Sequence, residues 1–331
     1  MLAMDPTFID LFAGIGGMRL AFERAGCRCV FGSEIDKFSR QTYAANFGDV
    51  PHGDITKIAS GDIPPHDILV GGFPCQPFSI SGVSKANSMG RPHGFDDPTR
   101  GTLFFEIKRI LEDRRPAAFL LENVKNLSHH DGGRTMRTIL NALHDVGYAT
   151  SHAILDAKGR VPQHRERTFI VGFLGKATGS DLFGAPTDDA GFEFPGPTDD
   201  GRRLRDILDP SPAAKYTITD ALMECMRRHR ARHEAKGNGF GYTIAKLDGF
   251  TATLKARYYK DGAEILVPQD GKNPRKLTPR ECARLQGFPE SFEIVCSDVQ
   301  AYRQFGNSVA VPLVEEIARR IVAALKGRNA P

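Results

Sequence analysis

Short apolar runs alternate with amphipathic stretches through the first half of the chain, and this alternation narrows the possible folds more than any other feature. Residues 7–12 (TFIDLF), 29–33 (CVFGS), 67–71 (DILVG), 117–121 (AAFLL), 150–155 and 168–173 (TFIVGF) read as strands, whereas 17–25, 39–46, 103–113 and 135–146 carry helical spacing. Strands separated by helices pair mostly in parallel, and a parallel sheet needs cover on both faces. The expected fold is therefore α/β, a doubly wound and mostly parallel sheet. After Gly175 the pattern dissolves into a segment rich in Gly, Pro and Asp. Beyond it, the spacing predicts a helix over 217–232 and short strands around 251–254 and 264–267, so a smaller, β-rich second domain is expected. Residues 311–325 form an amphipathic helix with Pro312 in the first turn, where a missing backbone donor does no harm.

Charge divides the chain in the same way. The net charge is +4, but residues 201–280 hold 17 Lys and Arg against 9 Asp and Glu, a surplus of +8 that leaves the remainder at −4. Such asymmetry points the basic part towards a polyanion. The six cysteines lack paired C-x-x-C spacing, which disfavours a disulfide framework or a structural zinc site and leaves a thiol available for its reactivity. No apolar run approaches the ~18 residues of a membrane span, and no leader pattern opens the chain. A cytoplasmic protein is expected.

The run Phe8-Ile9-Asp10-Leu11-Phe12-Ala13-Gly14-Ile15-Gly16-Gly17 puts glycines directly between the first strand and the first helix. Lacking Cβ atoms, they let a ligand approach the backbone beside a helix N-terminus. In a G-x-G-x-x-G fingerprint counted from Gly14, Arg19 takes the place of the third glycine, which weakens an NAD reading. Glu34 ends the second strand, well placed for ribose hydroxyls, and Asp54 with Ile55 follows the next strand-loop unit. Alone, the turn fits a structural role equally well; the three sites together favour a nucleoside cofactor.

Cys75 stands between Pro74 and Pro77 at the carboxyl end of the strand at 67–71, where open parallel sheets carry their chemistry. A buried cysteine is ordinarily structural, but the flanking prolines interrupt the chain where a core strand has no reason to stop. A thiolate is a nucleophile that needs an acid or a cation to complete a reaction. Glu122-Asn123-Val124 ends the strand at 117–121, and Gln163-His164-Arg165-Glu166-Arg167 precedes the strand at 168–173. Each could be a cap or a charged turn; their shared position at strand ends is informative.

Taken in order, DLFAGIGG, GGFPCQPFS, ENV, QHRER, RKLTPRECARLQGFP and QFGNSVAVP resemble the motifs of the C5-cytosine DNA methyltransferases of the bacterial modification type, over nearly the whole chain. The resemblance implies the S-adenosylmethionine-dependent methyltransferase fold, S-adenosylmethionine as cofactor and double-stranded DNA as partner. It places Phe12, Gly14, Gly16 and Gly17 in the cofactor pocket, Glu34 on the ribose, and Asp54 and Ile55 at the adenine. Ile35 and Pro74 join this set, and Asn307, Ser308 and Val309 close it, which requires the end of the chain to return to the first domain. Cys75 would be the nucleophile and Glu122 the acid at N3 of the base. Arg165 and Arg167 would be a cation pair near the flipped cytosine and the catalytic loop. The segment 80–102 would be a lid over that base. No metal is implied. Pro77 departs from the pattern, since relatives often carry a small residue there.

On this resemblance, residues 1–174 with 301–331 form the catalytic domain and 175–300 the target-recognition domain, in a monomer that works with or without a cognate restriction endonuclease. The runs at 237–242 and 256–262 mix glycine, aromatics and cations, as a backbone-and-base-reading surface would. Either could instead be a plain hairpin turn. Together with 297–309 (SDVQAYRQFGNSV) they resemble bacterial methylases that modify CC-beginning sites such as CCWGG or CCGG. Two other readings stay open: a tRNA cytosine methyltransferase on the same scaffold, and a catalytically idle DNA-binding regulator. The PCQ sequence around Cys75 and the long recognition insert favour DNA, and the full set of catalytic groups disfavours idleness.

Overall fold

The computed structural model describes residues 5–74, 102–175, 179–180, 186–187, 190–238 and 241–328. Cys75, nearly all of the expected lid, and Gly239 and Phe240 of the first recognition run lie outside the described residues. Six strands form the main sheet: β1 (Thr7–Leu11), β2 (Arg28–Ser33), β3 (Ile68–Gly72), β4 (Ala118–Val124), β5 (Tyr148–Asp156) and β6 (Glu166–Leu174). Their order is β2-β1-β3-β4-β6-β5. Pairings β1/β2, β1/β3 and β3/β4 are parallel, while β6 runs antiparallel to both β4 and β5. Reversal of β6 brings the QHRER turn to the same sheet edge as the carboxyl end of β4, since Arg167 pairs with Val124.

Side-chain alternation explains the cover on both faces. Phe8, Val70, Ala118 and Leu120 pack on one side with Ala21 and Phe22 of α1 (Gly17–Arg24) and with the C-terminal helix. Ile9, Leu11, Leu69, Phe119 and Leu121 pack on the other. There they meet Phe104, Ile107 and Leu111 of α3 (Thr102–Arg114) and Met136, Ile139 and Leu143 of α4 (Arg134–Asp145). Helix α2 (Lys37–Phe47), between β2 and β3, is capped by Asp36, whose carboxylate accepts from Ser39 N at 2.8 Å.

The segment 190–297 departs from the expected β-rich domain. Its strand pairing consists of isolated bridges, such as Thr217 with Arg275 and Ile244 with Leu266. Its longest element is α5 (Asp220–Glu234). Prolines at 195, 197, 210, 212, 268 and 274 withhold the backbone donors that longer ladders need. Residues 256–259, read from sequence as part of a recognition run, form a single helical turn with Tyr258 buried. Apolar side chains of this segment, including Leu254, Ile265 and Leu277, join the core of the first sheet face. Helix α6 (Pro279–Leu285) starts with a capping box between Thr278 and Glu281, and Arg275 pairs with the fully buried Glu281 at 2.7 Å.

The chain then returns to its beginning. Helix α7 (Asp298–Asn307) leads into α8 (Val311–Arg328), whose Ile317, Ala318 and Ile321 share the core with α1. Arg319 Nη2 donates to Arg24 O at 3.0 Å. No helix among the described residues is long and apolar enough to cross a membrane.

Candidate active site

Strand order changes direction between β2-β1 and β3, and a cavity of about 610 Å³ opens outside the carboxyl ends of these strands, as expected for a doubly wound sheet. Its size suits a small organic ligand. The glycine turn forms one wall. Phe12, Gly14 and Gly16 all have positive φ, at 57°, 55° and 86°, a region that costs a side chain such as that of Phe12 conformational energy. Hydrogen bonds from Ala13 N to Ser33 O (2.9 Å) and from Gly16 N to Ala13 O (2.8 Å) hold the turn against β2.

Glu34 fastens the same turn: Oε2 accepts from Gly14 N at 2.8 Å and Oε1 from Asp36 N at 2.7 Å. Burial raises its pKa, with the backbone amides opposing. Beside it Ile35 lines the cavity while 71% exposed, leaving an apolar side chain open to a planar ligand. Asp54 caps the turn Ile55–Lys57, accepting from Thr56 N and Oγ1. Of the residues expected at the cofactor, Phe12, Gly14, Gly17, Asp54, Ile55, Pro74, Asn307, Ser308 and Val309 line this one cavity.

Glu122, Asn123 and Arg167 line the same cavity. Arg167 Nε lies 3.1 Å from Glu122 Oε1, both side chains being largely buried. Burial raises the Glu122 pKa, and Arg167 and Arg165 oppose it without cancelling it, so the site favours a carboxyl group able to keep a proton. Asn123 Nδ2 donates to Phe73 O at 2.9 Å, fixing the backbone two residues before Cys75. Among the described residues no group of His, Cys, Asp and Glu could hold a metal ion.

Two expected site residues stand elsewhere. Gly16 faces away from the cavity, where a Cβ would overlap the ring of Phe47; its role is to admit that ring behind the turn. Arg165 is 2% exposed and lies outside the cavity wall, because main-chain carbonyls hold its guanidinium behind the site.

Other contributors were missed. Gln300, Arg303 and Gln304 line the cavity, and the i, i+3, i+7 spacing of Gln300, Arg303 and Asn307 on one helix face was the available signal. Gly306 also lines it, and a Cβ there would overlap Ala256 N and the Lys255 carbonyl, backbone that cannot swing aside. Gly306→Ala is expected to cost about 1–3 kcal/mol and to lower the melting temperature by several degrees in a thermal scan.

Asp10 was missed as well. It is fully buried under the glycine turn with neither oxygen in hydrogen-bond geometry. Desolvation pushes its pKa from 3.8 up to about 8, with Arg19 opposing. The native state therefore holds this proton more tightly than the unfolded chain, so stability is full at acidic pH and is lost as pH rises towards about 8. Asp10→Asn should flatten this decline, measured as the change in melting temperature between about pH 5 and pH 8; equal slopes for variant and wild type would exclude it.

A family model described as C-5 cytosine-specific DNA methylase matches residues 6–323. The chain is 53% identical over 321 residues to the type II methyltransferase M1.ScrFI of Lactococcus lactis subsp. cremoris, covering 96% of this chain and 78% of that one. It is 52% identical over 322 residues to the type II methyltransferase M.NlaX of Neisseria lactamica, covering 96% of each. Among solved structures, the S. pombe Dnmt2 methyltransferase shares the fold with a TM-score of 0.71 at 22% identity, over 98% of this chain and 99% of that one.

Proposed function

Because this chain belongs to the C-5 cytosine-specific DNA methylase family, we propose that it transfers a methyl group from S-adenosylmethionine to C5 of cytosine within a specific double-stranded DNA sequence. Covalent addition of Cys75 to C6 of a flipped base is the step that makes this possible. One observation carries the proposal: residues suited to a nucleoside and residues suited to proton transfer line the same cavity.

Bound S-adenosylmethionine supplies an electrophilic methyl group. Each Glu34 oxygen has a lone pair beyond its backbone bond for a ribose hydroxyl, while Ile35 and Ile55 would flank the adenine and Asp54 its edge. Phe12, Gly14, Gly17, Pro74, Asn307, Ser308 and Val309 would complete the wall. The target atoms lie inside the duplex stack, so the base has to leave it. C5 of cytosine is a weak nucleophile. The Cys75 thiolate forms a bond to C6 and drives electron density onto N3, where Glu122 gives up its proton. Arg167 stabilises the developing charge at the neighbouring carbonyl oxygen. C5, now enamine-like, would take the methyl group as its bond to the cofactor sulfur breaks, leaving S-adenosylhomocysteine; loss of the C5 proton to a base then breaks the bond to the Cys75 sulfur and returns the thiolate, and N3 gives its proton back to Glu122.

Residues 1–174 with 301–331 would be the catalytic part and 175–300 the target-recognition part. Lys246, Lys255, Arg257 and Lys260 are exposed in the latter, where phosphate contacts would give DNA affinity a steep salt dependence. The protein would act as a monomer, as the modification partner of a restriction system or as a solitary methylase. Bisulfite sequencing of DNA from cells expressing the chain is the test. Protected cytosines at one recurring sequence are expected; unprotected DNA together with methylated tRNA would make the substrate RNA.

A further inference from the structure

Arg165 sits two residues from Arg167 and does different work. Nη1 donates to Leu254 O at 3.0 Å, and Nη2 donates to Gly306 O at 3.1 Å and to Ser308 O. Among the described residues no carboxylate lies within ion-pair distance of it; the nearby Glu122 is paired with Arg167. Its side chain hydrogen-bonds to carbonyls alone, with Glu122 attracting it from beyond ion-pair distance; burying a charge without a close counter-charge is costly, and what it gains is a hold on those carbonyls.

They belong to two different places. Leu254 lies in a stretch laid along the 162–165 turn like an extra strand. Thr251 N donates to Pro162 O at 2.9 Å and His164 N to Thr251 O at 2.9 Å. Thr253 Oγ1 donates to His164 O at 2.6 Å, and Leu254 N donates to Gln163 Oε1 at 2.8 Å. Leu254 is thus gripped at its N–H by Gln163 and at its carbonyl by Arg165, immediately before Lys255 and Arg257. Gly306 and Ser308, by contrast, line the cavity. The planar fork of an arginine can reach both places at once, whereas the point charge of a lysine cannot.

We propose that Arg165 is a positioning residue, a buried strut that couples the recognition segment 251–258 to the cofactor wall at 306–308, so that cofactor and DNA each strengthen binding of the other. The inference rests on the cofactor reading of the cavity given above. A ligand that orders Gly306 and Ser308 then orders Leu254 through the guanidinium, and linkage makes the effect reciprocal.

Hydrogen exchange on the full chain with S-adenosylhomocysteine as probe tests this. In the wild type, the probe should slow exchange at residues 12–17 and 34–36, and also by about fivefold or more at 251–258, none of which lines the cavity. In Arg165→Lys the first protection should remain and the second should fall to about onefold. Protection confined to the cavity-lining segments of the wild type, or kept at 251–258 in the variant, overturns the strut. No protection anywhere removes the cofactor reading and the strut with it. If the variant does not fold, the wild type gives the converse measurement. A duplex carrying the site found by bisulfite sequencing, added without the probe, must slow exchange at 304–309, and failure to do so overturns the coupling.

Discussion

Cys75→Ala is expected to abolish methyl transfer while leaving binding of S-adenosylhomocysteine and of DNA near wild type, because only the covalent step needs the thiol. Asn123 fixes the Phe73 carbonyl and Pro74 lines the cavity, so the chain reaches position 75 from a backbone tied to the strand that carries Glu122. A duplex with 5-fluorocytosine at the target makes the same point without a variant. Fluorine cannot leave as a proton does, so the S–C6 bond of the wild-type enzyme should persist and appear as a shifted band on a denaturing gel. Active wild-type enzyme that gives no such adduct would overturn the addition mechanism, and so would substantial transfer by the alanine variant.

Glu122→Gln should lower kcat by roughly 10²–10⁴-fold, the range expected when a general acid is removed, with little change in cofactor affinity. Its pH dependence follows from the environment. Burial raises the Glu122 pKa, and Arg167 together with Arg165 partly offsets this. The acid form, which N3 requires, is present below that raised pKa and is lost as pH rises through it, so the wild-type rate should fall on the alkaline side. Removing the cation by Arg167→Met should move this limb to higher pH as well as slow the reaction. Single-turnover rates across pH would decide, and a Glu122→Gln profile with the wild-type limb intact would assign the titration to another group.

Much of this was legible in the sequence because apolar alternation reports burial directly. Runs such as DILVG and AAFLL mark strands, and the groups just past them mark the sheet edge where ligands bind. Glu34 and Glu122, which line the cavity, were singled out because a carboxylate at a strand end has few reasons to be there. Arg165 misled for the opposite reason: a charged turn reads as exposed, and nothing local reveals that carbonyls from Leu254, Gly306 and Ser308 converge on it. Gly16 looked like its neighbours in the turn, but only the placement of Phe47 shows which way it faces. Asp10 carried a signal that went unused, a lone acid within FIDLF. The recognition segment was least legible, since short apolar runs between prolines fit isolated bridges as well as strands.

The return of the C-terminal helices to α1 has a consequence for the protein's birth. During synthesis, at roughly 5–20 residues per second, the glycine turn and Glu34 leave the ribosome long before Asn307, Ser308 and Val309 exist to face them. Until α7 emerges, the cavity lacks a wall, and until α8 follows, that side of α1 lacks its apolar cover. Closing so long a loop adds little entropy per extra residue, so completion is limited by translation more than by search. On the function proposed above, a nascent chain would not hold its cofactor, and activity would begin only when α8 is free to dock.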